Sequence, residues 1–200
     1  MDGAAAEFER RFQSAILANP YNCEILSRLP RLGLPDAWLV SGCLFQTVWN
    51  VLDRNPPTHG IKDYDIFYFD PDTSWEAEDA KIKAAATRFA DLKVEVEVRN
   101  QARVHLWYEQ KFGVPCPQFH RACDGIDHFL NTFSMVGVSP EADGLKLYAP
   151  VGLEDVFARV MRPNPLWRGN SRRERYDEKA ARWKSVWPSL TVLPWSEQAA

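Results

Sequence analysis

Apolar residues near the start of the chain recur at helical spacing. Over residues 4–18 they fall on one helical face, and the pattern ends at Asn19-Pro20. A second, shorter helix is predicted to follow Asn22 as its N-cap and to end near Pro30. The first 35 residues therefore indicate two helices that precede the first strand.

A strand, a glycine and a helix follow in close succession. Residues 37–49 carry no charge, and the part up to Val40 is short and apolar, which is typical of a buried strand. Gly42 interrupts the run, and helical spacing resumes over residues 43–52. Such a turn exposes backbone N–H groups and the positive end of the helix dipole to an anion.

Two further strands are indicated by their composition and alternation. Residues 63–69, which follow a polar loop, are rich in Tyr, Ile and Phe. Residues 93–99 alternate between valines and charged side chains, as a half-buried strand does. Between them, a capping-box pattern at 73–76 predicts a helix that runs to about Asp91.

The second half of the chain predicts helices around a β-hairpin. Helical segments are expected at 101–108, 124–131 and 152–160. Strands at 135–138 and 145–148 flank a turn-rich segment and indicate the hairpin. A second capping box at 171–174 opens a last helix, which must end before Pro188. No repeat or linker divides the sequence, so residues 1–200 are expected to form a single domain.

Composition indicates an ordinary folded protein. Hydrophobic residues supply 46% of the chain and charged residues 26%, which excludes intrinsic disorder, a collagen-like fibre and a coiled-coil rod. The formal net charge of −3 excludes a generally basic protein that binds polyanions over its whole surface. The four cysteines form no C-x-x-C pair, and no signal peptide or membrane span is visible. A cytoplasmic location without membrane contact is therefore expected.

The charge is nevertheless unevenly distributed. Residues 159–184 hold nine basic and three acidic residues, a net of +6, whereas residues 1–158 carry a net of −8. One interpretation is a solvated amphipathic helix that turns Tyr176, Ala180 and Trp183 inward. The other is a basic wall that faces an acidic site and grips a triphosphate or an RNA acceptor. The sequence leaves both interpretations open.

Two acidic pairs lie on predicted strands. Side chains at positions i and i+2 of a strand project from the same face, with Cα atoms about 6.5–7 Å apart. Asp63 and Asp65 therefore point together, and so do Glu95 and Glu97. If the two strands are neighbours, these carboxylates converge and repel one another. A divalent cation would relieve the repulsion, and hard oxygen ligands suit Mg²⁺, with Mn²⁺ as an alternative.

The glycine turn and the acidic strands together indicate a nucleoside triphosphate (NTP) as ligand. The turn offers a cradle for phosphate oxygens. Two divalent ions about 3.5–4 Å apart can stabilise both the entering and the leaving oxygen of a nucleotidyl displacement. A phosphate cradle beside a metal patch is the combination that such a displacement requires.

The order of these motifs resembles the nucleotidyltransferase superfamily of polymerase β type. More closely, the strings SGCLFQTVWNVL, HGIKDYDIFYFD, VEVRNQARVHLWY and APVGLEDVF are similar to a bacterial nucleotidyltransferase-like family first catalogued as a domain of unknown function. The resemblance covers about residues 36–165. It implies an α+β fold in which a small mixed β-sheet is flanked by helices, with a C-terminal hairpin and helix. Residues 1–35 would then be N-terminal helices, and residues 166–200 a basic helix and tail.

The resemblance also implies a role for each motif residue. Gly42 would be the phosphate turn, with Ser41 beside it as a further phosphate ligand. Asp63 and Asp65 would be the metal ligands. Glu97 would be the third carboxylate, either as a metal ligand or as the general base for an attacking hydroxyl.

Several assignments remain open at this point. Glu95 competes with Glu97 for the place of the third carboxylate, and Glu97 is preferred because it directly precedes the segment that carries the resemblance. Lys62, Arg99 and Arg103 are candidate triphosphate ligands. Arg99 can equally be the ion-pair partner of Glu97, since the two share a strand face.

Cysteines account for one departure from the superfamily pattern and for one alternative candidate site, a zinc site. Cys43 follows the glycine turn at a position where the superfamily usually has Gly or Ser. Separately, Cys116, His120, Cys123 and His128 are residue types that bind zinc. Their spacing matches none of the usual zinc fingers or knuckles, and the alternative is a pair of buried thiols with two surface imidazoles.

The sequence therefore predicts a Mg²⁺-dependent nucleotidyltransferase that binds an NTP and transfers its nucleoside monophosphate to an acceptor hydroxyl. RNA ends, proteins and small molecules all fit as the acceptor. A module of the same fold that binds nucleotides or nucleic acid without chemistry is the first alternative, because a fold alone does not guarantee activity. A purely structural interaction protein is the second.

Overall fold

The computed structural model describes residues 3–167 and 172–195, in which helices and short strands alternate along the chain. The helices of this part are α1 (Gly3–Ile16), α2 (Pro20–Arg28), α3 (Gly42–Leu52), α4 (Trp75–Phe89), α5 (Val104–Phe112), α6 (Ala122–Asp127), α7 (Glu154–Ala158) and α8 (Arg173–Val186). The strands are β1 (Trp38–Val40), β2 (Asp63–Tyr68), β3 (Glu95–Asn100), β4 (Gly137–Glu141), β5 (Gly144–Tyr148), β6 (Val160–Met161) and β7 (Thr191–Val192).

Five of these strands form one mixed sheet in the order β3-β2-β1-β4-β5. Strands β2 and β3 run parallel, because α4 crosses over between them, and the other neighbours pair antiparallel. The predicted α+β fold with a small mixed sheet and flanking helices is confirmed. The short strands β6 and β7 form a second, parallel pair that the sequence did not indicate.

Side chains along β2 point alternately into the core and to the opposite face, which carries the two aspartates. Tyr64, Ile66 and Tyr68 point into the larger core and are at most 1% exposed. The residues between them, including Asp63 and Asp65, are half-buried on the opposite face. The period of two that predicted the strand therefore also places both carboxylates on one side of the sheet.

An aromatic cluster joins the sheet to the C-terminal helix. Phe45 and Trp49 of α3 pack against each other and against Phe133, and Trp183 of α8 packs against Phe45 and Phe133, with centroids of neighbouring rings 4.7–5.3 Å apart. Trp49 and Phe45 are fully buried, and Trp183 is 3% exposed. Burial of this much aromatic surface fixes α8 against α3.

The loop between α3 and β2 is held by one buried amide. Asn50 Nδ2 donates to the carbonyl oxygens of Pro57 (3.1 Å) and His59 (2.8 Å), and its Oδ1 accepts from Trp187 Nε1 (2.9 Å). Gly60, at a φ of +70°, leaves no room for a side chain, because a Cβ there would lie 2.8 Å from Val186 Cγ1. The loop and the end of α8 are thus fastened to each other.

Two of the predicted helix starts are wrong. Asn19, and not Asn22, caps α2, since Asn19 Oδ1 accepts from the Tyr21 amide at 3.0 Å and Pro20 takes the first helical position. Ser74 caps α4 through the Ala77 amide at 3.3 Å, so the capping box expected at 73–76 does not form.

Other boundaries differ by a few residues. The helix expected at 101–108 begins with a 3₁₀ turn at Gln101–Arg103. The helix expected at 124–131 spans Ala122–Asp127 instead, and a further 3₁₀ turn, Thr132–Ser134, follows with the Asn131 side chain as its cap. The hairpin is confirmed, with strands that pair as far as Glu141 and Gly144.

The last helix ends at Val186, before Pro188, as predicted. The capping box proposed for its start depends on Ser171, which lies outside the described residues, as does Arg168 of the basic segment. Within residues 3–167 and 172–195, no helix has the length and apolarity needed to cross a lipid bilayer.

Candidate active site

The acidic residues converge because β2 and β3 are direct neighbours. In the parallel register, Asp63 lies opposite Glu95 and Asp65 opposite Glu97. Burial, and after it the nearby charges of Asp63 and Glu97, together raise the pKa of Asp65 to about 7, against the opposing effect of Lys179. Asp63, Asp65 and Glu97 therefore form one electrostatic group.

The two candidates for the third carboxylate are placed differently. Glu97 is half-buried and lines a cavity together with Asp65, whereas Glu95 at the start of β3 is exposed. Glu97 Oε2 also accepts a hydrogen bond from Arg99 Nη2 at 2.9 Å. The ion-pair interpretation of Arg99 thus matches the geometry, and Arg99 lines the same cavity as Glu97.

The turn between β1 and α3 is strained and close to the carboxylates. Ser41 has a φ of +55° and is only 7% exposed, with its amide donating to Val136 O at 2.8 Å. Non-glycine residues at positive φ persist where the surroundings hold them, often at functional sites. The first amides of α3 have no acceptor within the helix. A Cβ built on Gly42 would lie 4.0 Å from Asp63 Oδ1, at van der Waals distance, so the turn lies directly beside this carboxylate.

Cys43 takes no part in the turn surface. Its side chain is fully buried, and Sγ lies 3.7 Å from Val40 O as a donor. Burial raises the pKa of this thiol well above its usual range. Ser41, and not Cys43, lines the cleft above the turn, which explains why the departure from Gly or Ser at position 43 leaves the cleft intact.

A polar cleft of about 350 Å³ brings the turn, the carboxylates and the last helix together. Ser41 and Gly42 line one side with Asp63 and Asp65. The facing wall is the basic side of α8, on which the residues are spaced i, i+4 and i+7: Arg175, Lys179 and Arg182. Negative and positive walls therefore face each other across one cleft.

The inward-facing residues of the first interpretation and the acid-facing basic side of the second are both found on α8, and a grip on a triphosphate or an RNA stays a prediction. Tyr176, Ala180 and Trp183 are buried in the core, as the amphipathic pattern predicted. The basic side is turned to the acidic site and not simply to solvent. Burial, and after it the neighbouring charges of Arg175 and Arg182, together lower the pKa of Lys179 to about 8, against the opposing effect of Asp65 and Asp63.

Two of the sequence-predicted ligands are placed away from the cleft. Lys62 is exposed and lines neither the cleft nor the cavity beside Glu97. Arg103 is buried in an ion pair with Glu78, at 2.7 Å between Nη1 and Oε2, and its guanidinium lies 5.4 Å from the Trp75 ring centroid. The structure therefore brings together Ser41, Gly42, Asp63, Asp65, Glu97 and Arg99, without Lys62 and Arg103.

The carboxylates fit a divalent cation that shares its coordination with a ligand. Among the described residues, no group of three or more His, Cys, Asp and Glu side chains is arranged to hold a metal ion alone. The Asp63 and Asp65 carboxylates, which form no hydrogen bond or ion pair within that part of the chain, offer two hard oxygen ligands. Mg²⁺ commonly takes one or two carboxylates, several waters and substrate phosphates.

The rival zinc site is not assembled. Cys116, His120, Cys123 and His128 form no ligand group in the described residues. His128 Nδ1 instead lies 2.7 Å from Asp124 O, and Cys123 is buried in the smaller core cluster. Burial, together with the nearby charge of Asp36, raises the pKa of the Cys123 thiol to about 12.

A second cavity, of about 260 Å³, adjoins the cleft. It shares Asp65, Phe129, Arg175 and Lys179 with the cleft and extends past Glu97. Its walls are largely aromatic, with rings from β2, α5 and the segment around α6: Phe67, Trp107, Tyr108, Phe112, Phe119 and Phe129. We call it the aromatic cavity. Two other large aromatic residues, Trp38 and Trp49, are in the core instead.

The residues that sequence reasoning left out of the site lie mainly on α8. Arg175, Lys179 and Arg182 were noted as part of a basic segment but not assigned to the site. Their i, i+4, i+7 spacing shows that they share a helix face, and only the tertiary structure shows what that face meets. Phe129, which lines both cavities, carried no sequence signal.

Comparisons with known proteins agree with this geometry. The chain matches the model of a family described as nucleotidyltransferase over residues 27–192. It is similar to a solution NMR structure whose description reports a CCA-adding enzyme head domain, with 26% sequence identity and a TM-score of 0.76. That similarity covers 92% of this chain and 95% of the other. Comparison with functionally curated proteins gives no significant match. By its match to the family model over most of its length, and by the fold that supports it, this chain belongs to the nucleotidyltransferase family.

Proposed function

We propose that the chain transfers a nucleoside monophosphate from an NTP to an acceptor hydroxyl with the help of a divalent metal ion. The cleft between the start of α3, the carboxylates of β2 and the basic face of α8 carries the proposal. A helix start suits a phosphate, paired carboxylates suit a divalent cation, and a basic wall suits the charge of a triphosphate.

The triphosphate lies between the two helices in this proposal. In it, the Gly42 amide and the Ser41 hydroxyl bind phosphate oxygens, and the side chains of Arg175, Lys179 and Arg182 neutralise the phosphate charge. The three cations repel one another along α8, and the negative charge of a bound triphosphate would reduce that repulsion.

Asp63 and Asp65 would hold Mg²⁺ or Mn²⁺ against the phosphates. The ion, when bound there, neutralises phosphate charge and aligns the displacement at the α-phosphorus. Because the described residues contain no complete protein-only metal site, we expect the ion to bind together with the nucleotide and only weakly without it.

Glu97 would receive the proton of the acceptor. The acceptor oxygen forms a bond to the α-phosphorus, the bond from that phosphorus to the bridging oxygen breaks, and pyrophosphate leaves. The hydroxyl proton passes to the Glu97 carboxylate, which Arg99 orients through its 2.9 Å contact. RNA ends, proteins and small molecules all present a suitable hydroxyl, and the similarity to a CCA-adding enzyme head domain supports nucleotide addition as the reaction.

Transfer assays with α-labelled NTPs test the proposal. The full chain would be incubated with each NTP, Mg²⁺ and fractions of cell extract, and transfer of label to any acceptor would be measured. Asp63→Asn and Asp65→Asn should reduce transfer by about 100-fold or more, since each removes a charged ligand. Asp177→Asn is the matched control, because Asp177 lies on α8 away from the cleft and pairs with Arg173. Equal activity of all three variants would refute the assignment.

A binding module without chemistry is the second candidate, favoured by the incomplete carboxylate group among the described residues. Thermal unfolding with four NTPs, with and without Mg²⁺, separates the two. Stabilisation that requires both nucleotide and metal supports the enzyme, and stabilisation by nucleotide alone supports the binding module. A chain that responds to neither would be an interaction protein.

A further inference from the structure

The direction of the displacement indicates which of the two cavities receives the acceptor. In an in-line transfer, the attacking and leaving oxygens lie on opposite sides of the phosphorus. The cleft at Gly42 and α8 holds the triphosphate in the proposed function, so pyrophosphate leaves on that side. The acceptor must then approach from the other side of Asp65, where Glu97 and the aromatic cavity lie.

The lining of the aromatic cavity shows which chemistry it accommodates. Phe67 and Phe129 are stacked at 5.5 Å with an interplanar angle of 18°, next to the carboxylates. Trp107, Tyr108 and Phe112 of α5 line the opposite wall and are half-buried, so their rings remain accessible. Accessible rings on two walls suit a planar aromatic group, because such rings stack on one another.

Basic side chains of α5 and α8 add a preference for an anion. Lys111, Arg172 and Arg175 line this cavity, whereas its acidic residues, Asp65 and Glu97, are both at the catalytic end. Arg172 is 2% exposed and is held among aromatic rings, with its guanidinium carbon 4.6 Å from the Tyr108 centroid.

The guanidinium of Arg172 keeps part of its hydrogen-bonding capacity unused. Its Nε and Nη2 are both buried and have no hydrogen-bond partner among the residues that the structure describes. These two atoms form one edge of the guanidinium, which binds two oxygens of a phosphate or a carboxylate side by side. A buried, unpaired donor edge is costly unless a ligand occupies it.

We propose that the aromatic cavity is the acceptor site and that its acceptor is a nucleotide, with the base against the aromatic walls and a phosphate towards Lys111 and Arg172. The inference rests on the proposed function, since the triphosphate cleft defines which side is free. A free nucleoside monophosphate and the terminal nucleotide of an RNA share this chemistry. In either form, a ribose hydroxyl would be presented to Glu97 and would take up the transferred group.

Binding of acceptor analogues to the full chain, without NTP, tests the inference. Nucleoside 5′-monophosphates, the corresponding nucleosides and a short single-stranded RNA would be titrated by calorimetry. We expect the monophosphates to bind about 10-fold more tightly than the nucleosides, because the phosphate gains charge-assisted hydrogen bonds. An RNA that binds more tightly than the monophosphates identifies an RNA end as the source, and equal affinities identify the free nucleotide.

Variants distinguish the contribution of the aromatic rings of the cavity from that of its basic side chains. Trp107→Leu should weaken both nucleosides and monophosphates about 10-fold, because it removes a stacking surface. Arg172→Gln should weaken only the monophosphates, and Lys111→Gln, at an exposed position that leaves folding intact, should do so to a smaller extent. Arg173→Gln is the matched control, since Arg173 points away from both cavities towards Asp177.

Two results would overturn the inference while leaving the proposed function in place. The first is an absence of monophosphate and RNA binding up to millimolar concentration in a protein that Mg²⁺ and NTP still stabilise. The second is a loss of Mg²⁺–NTP affinity in Trp107→Leu equal to its loss of monophosphate affinity, which would place the base of the donor in the cavity. Failure of Mg²⁺–NTP binding itself would count against the proposed function instead.

Discussion

Variants of the ion pair between Glu78 and Arg103 distinguish two roles for Arg103. The sequence predicted that Arg103 binds the triphosphate, whereas in the structure it forms an ion pair with Glu78. Glu78 of α4 is 4% exposed, and its two carboxylate oxygens have separate partners. Oε2 accepts from Arg103 Nη1 at 2.7 Å, and Oε1 accepts from the Asn100 amide at 2.9 Å. The pair therefore joins α4 to the end of β3, away from the cleft, and its removal should affect stability and not nucleotide binding.

The expected magnitude follows from burial. Removing one partner of a buried ion pair typically costs about 3–5 kcal/mol, because the other charge is left unpaired. Arg103 Nε is already buried and has no hydrogen-bond partner within residues 3–167 and 172–195, which reduces what the native pair contributes. We therefore expect Arg103→Met to lower the free energy of unfolding by about 2–3 kcal/mol. Glu78→Gln in the same chain should recover part of that loss, since it removes the unpaired carboxylate and keeps an acceptor for Asn100.

Urea unfolding of Arg103→Met, Glu78→Gln and the double variant gives the coupling energy of the pair. We expect about 1–2 kcal/mol. The matched control is the pair between Arg28 and Asp91, at 2.6 Å, in which the Asp91 side chain is 64% exposed. Solvent screening should make its coupling clearly weaker than that of the pair between Glu78 and Arg103. The reasoning is refuted if Arg103→Met loses less than about 1 kcal/mol, or if it weakens Mg²⁺–NTP binding while remaining folded.

Three further predictions concern the loop, the turn and the last helix. Asn50→Ala should lower the free energy of unfolding by about 3 kcal/mol in urea titrations, because it leaves two carbonyls and the Trp187 indole without partners. Gly42→Ala should weaken Mg²⁺–NTP binding about 10-fold by calorimetry and leave stability within about 1 kcal/mol, since its Cβ would meet chiefly Gln46 Nε2, at 3.1 Å. Lys179 loses its proton as the pH rises through about 8, so Mg²⁺–NTP affinity should fall between pH 7 and pH 9. Lys179→Arg should abolish that fall because arginine stays charged.

Each of these predictions has a contradicting result. An unfolding midpoint of Asn50→Ala equal to that of the parent chain would mean that water replaces the lost bonds. Unchanged nucleotide affinity in Gly42→Ala would remove the turn from the site. An identical fall of affinity with pH in Lys179→Arg would assign the titration to another group.

The strands and the facing of their carboxylates could be predicted because both depend on a local period of two. Asp63 and Asp65 share a face wherever β2 lies, and the sequence alone establishes that. Their approach to Glu97 required the parallel register of β2 and β3, which no local pattern encodes. The preference for Glu97 over Glu95 came from the resemblance to a family and not from periodicity.

The ion pair of Arg103 could not be predicted from the sequence, because its partner lies 25 residues earlier on another element. A basic residue after an acidic strand has the same local pattern whether it binds substrate or a buried carboxylate. The N-cap of α2 could have been predicted from the sequence. Proline favours the first helical position, so Pro20 indicates that the residue before it, Asn19, is the cap. The spacing on α8 identified the basic face, but only packing of Trp183 against α3 turns that face to the carboxylates.

Because α8 carries the basic wall and a core surface on opposite sides, its stability and its ligand affinity are thermodynamically linked. Tyr176, fully buried, anchors the helix by donating to the carbonyl oxygens of Met161 and Leu193, both at 2.8 Å. Repulsion among the cations on the other side opposes that anchoring until a polyanion binds. A substitution that weakens only the core contacts of Tyr176 would therefore register as a nucleotide-binding defect. Selection for a well-packed C-terminal helix and selection for substrate affinity would then act on the same residues.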